Sequence, residues 1–427
     1  MRKHFFTGFG FGPIQAGLFV NEAFQSGNFK RIVIAEIDQA LVDAVRANHG
    51  SYFINVARAD GIEIVKVGNI ELLNPNIQTD RKLLVDALSR STEMTTSLPS
   101  VSFYTAGGNN SVASLIAQGL QNSRADATII YTAENNNHAA EILQEKVSEQ
   151  TGDSAGHAAQ YLNTVIGKMS RIVADPEEIT QMNLTPIAPT IQRAFLVEQF
   201  NRILVSRCTI KGFRPGIEVF IEKEDLLPFE EAKLYGHNAI HALLAYLGIA
   251  KGYKKMTELK DDTELMKIAT EAFLNESGTA LIKKYTHLGD ELFTEAGYRY
   301  YAEDLLERMT NPYLEDTTAR AGRDPVRKLG YNDRIFGTMS LALDYGIEPV
   351  NMAIGAAAGL WHLLDTPQEN KLPENLRFPE RQKLSAEQIE KLLVWLWADK
   401  SSRSRQKMIE LIHQALPKLA ALLRNPG

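Results

Sequence analysis

The sequence predicts an α/β N-terminal domain on a parallel sheet, followed by a mainly α-helical C-terminal domain. Three observations carry this. β-branched runs alternate with helix-periodic segments through the first third of the chain, the pattern of a parallel sheet covered on both faces. From about Glu230 the chain is nearly all helix-periodic. The stretch between, roughly 195–225, holds only two short strand candidates.

The elements follow in order. Residues 4–7 read as a short apolar strand, 14–25 as a helix, 31–35 (RIVIA) as a strand and 39–48 as a helix. Residues 52–56 and 62–67 read as a hairpin, and 81–89 as a helix. Residues 101–105 and 127–131 are two further apolar runs, each followed by a helix candidate. The short strands of the transition are 203–205 and 218–221. Helical segments then centre on Leu243, Leu265, Leu305, Met339 and Leu392. Residues 365–383 are polar and read as a long surface loop. The tail, 366–427, holds two helix-like stretches, 386–397 and 405–423, that either cover the helical domain or make a subunit contact.

A length of 427 residues accommodates two domains, placed at 1–195 and 196–427. The 46 Lys and Arg against 52 Asp and Glu give a net charge of −6. That balance argues against a nucleic-acid face, which needs clustered positive charge, and against attraction to anionic membranes. The one cysteine, Cys208, forms no internal disulfide and supplies no thiol-rich metal site, which suits a reducing cytoplasm. The first 20 residues superficially resemble a secretory signal, but Gly8, Gly10, Gly12 and Pro13 interrupt the apolar run. No apolar stretch long enough for a membrane span is present.

The segment TGFGFGPIQAG, residues 7–17, follows a strand and opens a helix. That is the setting of a dinucleotide loop in a Rossmann-type domain: Gly8 permits the tight turn and Gly10 lets the backbone approach a pyrophosphate at the helix N-terminus. Gly12 continues the motif, and Pro13 stands where the third glycine belongs. Proline is tolerated there because its missing N–H falls in the first helical turn. Glu36 ends the second strand, 24 residues after Gly12, where a carboxylate would hold a ribose 2′-hydroxyl and favour NAD over NADP. TAGGNN (105–110) and TAENNN (132–137) follow later apolar runs, so Thr105, Ala106 and Asn135 are further cofactor-side candidates.

The segment KLYGHNAIHALLAYLG, residues 233–248, is the most informative. At α-helical spacing, Lys233, His241 and Asn238 fall at roughly 0°, 80° and 140° around the axis. A polar stripe entering an apolar helix suggests the wall of a buried pocket. A lysine there loses solvation, and its pKa falls towards a value useful for a general base. Asn238 can donate to a developing alkoxide, and His241 can orient substrate or lysine. The ordinary alternative is a helix surface with a capping lysine and a satisfied core histidine. His237 and His241 at i,i+4 raise metal binding, but no further ligand cluster is near in sequence, and no metal is expected.

With K-x-x-x-x-N-x-x-H, TAGGNN, TAENNN and the strand region 197–205 in view, the chain resembles the polyol-specific long-chain dehydrogenases over roughly residues 3–365. The resemblance implies NAD as cofactor, Lys233 as general base, Asn238 as part of an oxyanion-stabilising pair and His241 as a substrate-binding residue. It implies a second asparagine in a segment N-x-x-x-D-R-I-V. The nearest match is LNTVIGKMSRIV, with Asn163 three residues further from Arg171 and Ser170 for the aspartate. Either an insertion bulges the segment or Asn163 is not equivalent.

RAGRDPVRKLGYNDR, residues 320–334, resembles the branch of that family acting on phosphorylated substrates. Arg320, Arg323, Arg327, Lys328 and Arg334 against Asp324 and Asp333 give this segment a local charge of +3. Arg323, Arg327 and Lys328 are thus candidates for a substrate phosphate, arginine being suited to bidentate contacts. The alternative is an arginine-rich staple paired to carboxylates such as Asp316. The expected reaction interconverts a sugar alcohol phosphate and a ketose phosphate. A free polyol or hexuronate, or a non-catalytic NAD-binding role, remains the competitor. The expected partner is a small polyol or its phosphate, and the expected state a monomer or homodimer.

Overall fold

The computed structural model describes residues 4–151, 158–398, 400 and 403–424. Residues 1–3, which begin the signal-like stretch, lie outside them. Two compact units are present, Met1–Leu227 and Pro228–Gly427.

The first unit carries an eight-stranded sheet ordered β12-β11-β8-β7-β6-β1-β2-β5. Its strands are β1 (His4–Phe9), β2 (Phe29–Ala35), β5 (Ile70–Leu73), β6 (Glu93–Thr96), β7 (Ala127–Thr132), β8 (Ala158–Val165), β11 (Leu204–Ser206) and β12 (Ile221–Lys223). All neighbours pair in parallel except β11 with β8. The six strands from β5 to β8 follow the doubly wound order, whose switch point lies between β1 and β6. Strand alternation feeds two apolar layers. Ile32, Ile34, Ile129 and Tyr131 enter one, and Val33, Ala35 and Ile130 the other.

A second sheet, β4-β3-β10-β9, combines the hairpin β3 (Tyr52–Ala57) and β4 (Ile62–Val67) with β9 (Ser170–Val173) and β10 (Ala194–Glu198). The hairpin forms as the sequence indicates, and β3 also pairs in parallel with β10. These pairings explain why the first unit runs to Leu227 while the sequence suggested a boundary at 195/196. β10, β11 and β12 complete sheets begun earlier in the chain.

Two strand expectations are corrected. Residues Val101–Tyr104 form a 3-10 turn, and the strand of that region is β6, Glu93–Thr96. Its sequence EMTT looks polar, yet all four residues are buried. Glu93 accepts an N–H from Gly216 and the hydroxyl of Tyr131, so burial leaves its carboxylate satisfied. The strand expected at 218–221 lies at Ile221–Lys223.

Among the described residues of the second unit the regular elements are all helices, apart from one isolated bridge between Lys255 and Thr317. The apolar helix Ala239–Lys251 is buried over Ala242–Gly248 and packs on the helix Val350–Asp365. Residues 365–383 contain turns and two short 3-10 segments, as a loop should. The tail folds as helices Ala386–Leu396 and Arg405–Leu422. Ser385 and Gln388 form a capping box on the former, and the latter packs on Val350–Asp365.

Candidate active site

In the first unit the glycine loop leaves β1 at the switch point. Gly10 has φ +80°, and its N–H donates to Ala35 O at 2.9 Å. A Cβ there would stand 2.6 Å from Ser97 O, so only glycine fits both the angle and the space. Gly8 serves differently from expectation. It makes room for the Gln15 side chain, whose Nε2 would lie 1.8 Å from a Cβ at Gly8. That amide donates to Thr95 Oγ1 at 2.6 Å. A Cβ at Gly12 would meet nothing within 4 Å, so the backbone there faces open space. Pro13 stands in the first helical turn, closed by Ala16 N–H to Gly12 O at 2.9 Å.

Glu36 reaches this loop. Its carboxylate accepts the Phe11 N–H at 2.7 Å and the Asp38 N–H at 2.8 Å. A cleft of about 150 Å³ opens beside it, lined by Gly12, Glu36, Asp38, Ile172, Arg193 and Phe195 among others. Arg193 pairs with Asp38 at 2.6 Å on its wall. Open space at Gly12, a glycine loop at a helix start and a carboxylate at the end of β2 together fit the diphosphate and ribose of a dinucleotide.

The other candidates of this unit sit less decisively. Thr105 and Ala106 are exposed and follow a 3-10 turn, and Asn135 is exposed. Sequence reasoning missed the adjacent Glu134. It is buried and accepts from Thr96 Oγ1 at 2.8 Å, Leu98 N at 2.9 Å and Tyr104 OH at 2.5 Å. Burial pushes its pKa up, against the pull of those donors. The signal was available as an acid directly following the apolar run TIIYTA. Asn163 lies on β8 with both ends of its amide engaged. Oδ1 accepts the Ala140 N–H at 2.9 Å and Nδ2 donates to Glu141 at 2.8 Å, at the start of the helix Ala139–Thr151.

In the second unit, Ala232–Asn238 is a π turn leading into the α-helix Ala239–Lys251. This corrects the α-helical angles taken from the sequence. Lys233 and Asn238 are five apart, and in the wider i→i+5 turn residues so spaced diverge less than at α spacing, so the turn brings the two closer to one face. His241 follows three residues on along the α-helix. Among the described residues, neither the Lys233 ammonium nor the Asn238 amide has a hydrogen-bond partner. Loss of solvent lowers the Lys233 pKa to about 8; Glu230 opposes that shift and Arg334 adds to it.

His241 Nε2 lies 3.1 Å from Asp316 Oδ2. A carboxylate only accepts, so Nε2 carries the proton, and in the neutral ring Nδ1 is the acceptor. Arg320 grips the same aspartate through Nε at 2.5 Å and a second nitrogen at 2.6 Å. Burial alone would raise the Asp316 pKa, but the His241 and Arg320 contacts outweigh it and hold it well below the usual range. His237 is buried, and desolvation with neighbouring positive groups drives its pKa far down, which keeps it neutral.

The basic segment divides in two. Arg320, Arg327 and Arg334 are paired, to Asp316, Asp324 and Asp333 respectively, as the staple reading required. Arg323 is exposed and unpaired among the described residues. Lys328 is buried, and its ammonium donates to Ala321 O. Desolvation, then the fields of Arg334, Arg327, Arg323 and Arg320, lower its pKa to about 7. Arg334 also acts on Lys233 and His237, so one guanidinium field spans the basic segment and the Ala232–Asn238 turn. Among the described residues no group of three or more His, Cys, Asp or Glu side chains gathers as a metal site.

Residues 225–419 match the mannitol dehydrogenase C-terminal domain. A mannitol-1-phosphate 5-dehydrogenase of Halalkalibacterium halodurans is 27% identical over 366 residues, 85% of this chain and 89% of that one. The crystal structure of a substrate-free D-sorbitol dehydrogenase superposes with a TM-score of 0.78 at 14% identity, over 99% of this chain and 95% of that one. A mannitol 2-dehydrogenase of Pseudomonas fluorescens, solved with NAD and D-mannitol, gives 0.68 at 15% identity over the same shares. No helix among the described residues is long and apolar enough to cross a membrane.

Proposed function

We propose, from the premise that the chain belongs to the polyol-specific long-chain dehydrogenases, that it oxidises a sugar alcohol phosphate of the mannitol 1-phosphate type to the ketose phosphate. The activity at the level of the family is NAD-dependent oxidation of a polyol. The observation that carries the chemistry is the desolvated Lys233 on one π turn with Asn238, and the phosphate reading is supported by the exposed Arg323, unpaired among the described residues.

Gly10, Gly12 and Glu36 hold the cofactor, with Gly8 acting behind the loop by making room for Gln15, and with Thr105, Ala106 and Asn135 as outer contacts. Bound NAD supplies the acceptor for the hydride leaving the carbinol carbon. Lys233, neutral, accepts the hydroxyl proton, so the C–H electron pair departs as the carbonyl forms. Asn238 donates its amide N–H to the oxygen as negative charge develops. The Asp316–His241 contact fixes the imidazole so that Nδ1 can accept from a second substrate hydroxyl. Arg323, the unpaired guanidinium, takes the phosphate together with Arg327 and Lys328. A phosphate beside Lys328 would restore its ammonium, because the anion offsets the surrounding arginines.

Asn163 is a weaker candidate for the second oxyanion donor, since its amide is committed to Ala140 and Glu141. One observation favours a free polyol: most arginines of the basic segment already have carboxylate partners. Initial rates of NADH formation with D-mannitol 1-phosphate, D-mannitol and D-tagaturonate separate the readings. Better turnover of an unphosphorylated compound overturns the phosphate assignment. Unchanged turnover in Lys233→Ala overturns the general base.

A further inference from the structure

We propose that Ser277 is a positioning residue whose hydroxyl, backed by Tyr298, holds the π turn that stacks Lys233 on Asn238. The proposal rests on the reading of Lys233 as proton acceptor.

The contact falls in the middle of the turn. Tyr235 O, between Lys233 and Asn238, accepts Ser277 Oγ at 2.7 Å and Thr338 Oγ1 at 3.1 Å. An i→i+5 turn that hands over to an i→i+4 helix interrupts the regular ladder, and side-chain hydroxyls are natural donors to the carbonyls there. The proton count identifies the principal donor. Thr338 has one proton and a nearer acceptor in Arg334 O at 2.5 Å. Ser277 has no competing carbonyl among the described residues. Its other neighbour is the Tyr298 hydroxyl at 3.2 Å. Since Ser277 donates to a carbonyl, Tyr298 must be the donor to Ser277. The chain therefore runs Tyr298 O–H to Ser277 Oγ–H to Tyr235 O.

No solvent can substitute for it. Ser277 and Thr338 are 0% exposed and Tyr298 is 1% exposed. Ser277 is itself presented by a second π turn, Ala272–Gly278. The fit between the turns has no slack. A Cβ at Gly236 would stand 2.8 Å from Tyr298 Oη, and one at Gly278 would stand 2.6 Å from the Tyr298 ring. Without the Ser277 hydroxyl, Tyr235 O keeps only a shared donor, and Tyr298 loses its acceptor. The turn is then freer to adopt α spacing, in which residues five apart diverge by roughly 140°. Lys233 would part from Asn238 and gain solvent.

Competitive acetylation of the full-length protein with trace acetic anhydride across pH, read by peptide mass spectrometry, reports the neutral fraction of Lys233 without any substrate. In Ser277→Ala the Lys233 midpoint is expected to rise by about a unit or more from its value near 8, with no matching change in labelling across the other lysines. Thr338→Ser, which keeps the hydroxyl, leaves the midpoint where it was. With D-mannitol 1-phosphate or D-mannitol as probe, kcat falls at least about tenfold and KM for NAD stays within about twofold. A Lys233 midpoint unchanged in Ser277→Ala overturns the proposal, as does a rise shared equally by all lysines, which marks general loosening. If Ser277→Ala does not fold, Ser277→Cys keeps the volume with a weaker donor; a wild-type midpoint in that variant is equally fatal. Full turnover by Lys233→Ala would remove the proton-acceptor reading alone, because the labelling result does not depend on it.

Discussion

The sharpest consequence of the Lys233 environment is a pH dependence that one substitution should erase. With a pKa near 8, about one-tenth of Lys233 is neutral at pH 7; at the ordinary 10.5 it would be about three parts in ten thousand. The protein environment thus multiplies the reactive form roughly 300-fold at pH 7. The sign follows from which form reacts. With Lys233 as the proposed base, polyol oxidation needs the neutral amine, so kcat/KM rises with pH below the pKa and levels off above it. Between pH 6 and pH 7 the rise should approach tenfold, and by about pH 9 the rate should be flat. Initial rates of NADH formation at saturating NAD, with substrate well below KM, give the profile. Lys233→Ala should lose roughly two to four orders of magnitude in rate, and whatever remains should lack the inflection near pH 8. An inflection that survives in Lys233→Ala would assign the titration to another group. A wild-type profile still climbing at pH 10 would mean the lysine is solvated and would refute the reasoning.

The same environment predicts a trade between activity and stability. Protonated in the unfolded chain and disfavoured as a cation in the fold, Lys233 weakens folding below pH 8, and that penalty fades as pH rises through 8 to 10.5. Lys233→Met should therefore stabilise the protein at pH 7, by up to roughly 3 kcal/mol, with the gain shrinking near pH 10; urea unfolding at both pH values tests it. Gly10→Ala should raise KM for NAD with little effect on kcat, through the positive φ and the 2.6 Å clash with Ser97 O; dinucleotide titration by fluorescence reads it directly. Asp316→Asn should cost roughly 1 to 2 kcal/mol in stability by weakening the grip on Arg320, whose side chain keeps 36% exposure, and should raise polyol KM through His241; wild-type KM would remove His241 from substrate binding.

What was legible in the sequence was set by period and by chemistry that needs no partner. Apolar runs revealed β1, β2, β3 and β7, because strands buried on both faces must be largely apolar, and β4 was legible as the partner of β3 in a hairpin. Gly10 and Glu36 could be read from spacing, since a positive φ and a carboxylate at a strand end are local properties. β6 escaped because its burial depends on partners far along the chain: Glu93 is satisfied by Gly216 and Tyr131, and Thr95 by Gln15. Asn163 was found as a residue, but its amide is spent on the helix beginning at Ala139, a contact made across the sheet.

The Lys233–Asn238 turn illustrates the same limit from the other side. Taken at α spacing, Lys233 and Asn238 point well apart, which weakens any case that they share one substrate oxygen. The pattern K-x-x-x-x-N becomes coherent only as an i→i+5 turn, and nothing in KLYGHN by itself requires one. The requirement comes from elsewhere. Ser277 and Thr338 both reach Tyr235 O, Gly236 leaves room for Tyr298, and Gly337 leaves room for the Tyr235 ring. Apart from Gly236, which belongs to the turn, those residues lie between 42 positions (Ser277) and 103 positions (Thr338) after Tyr235, on segments that read as ordinary helix. A local helix rule thus fails where the lysine and the asparagine must meet, and packing from distant segments supplies the departure. The spacing of functional residues along a chain can therefore point to helix type: two residues five positions apart diverge at α spacing and come closer to one face in the wider i→i+5 turn.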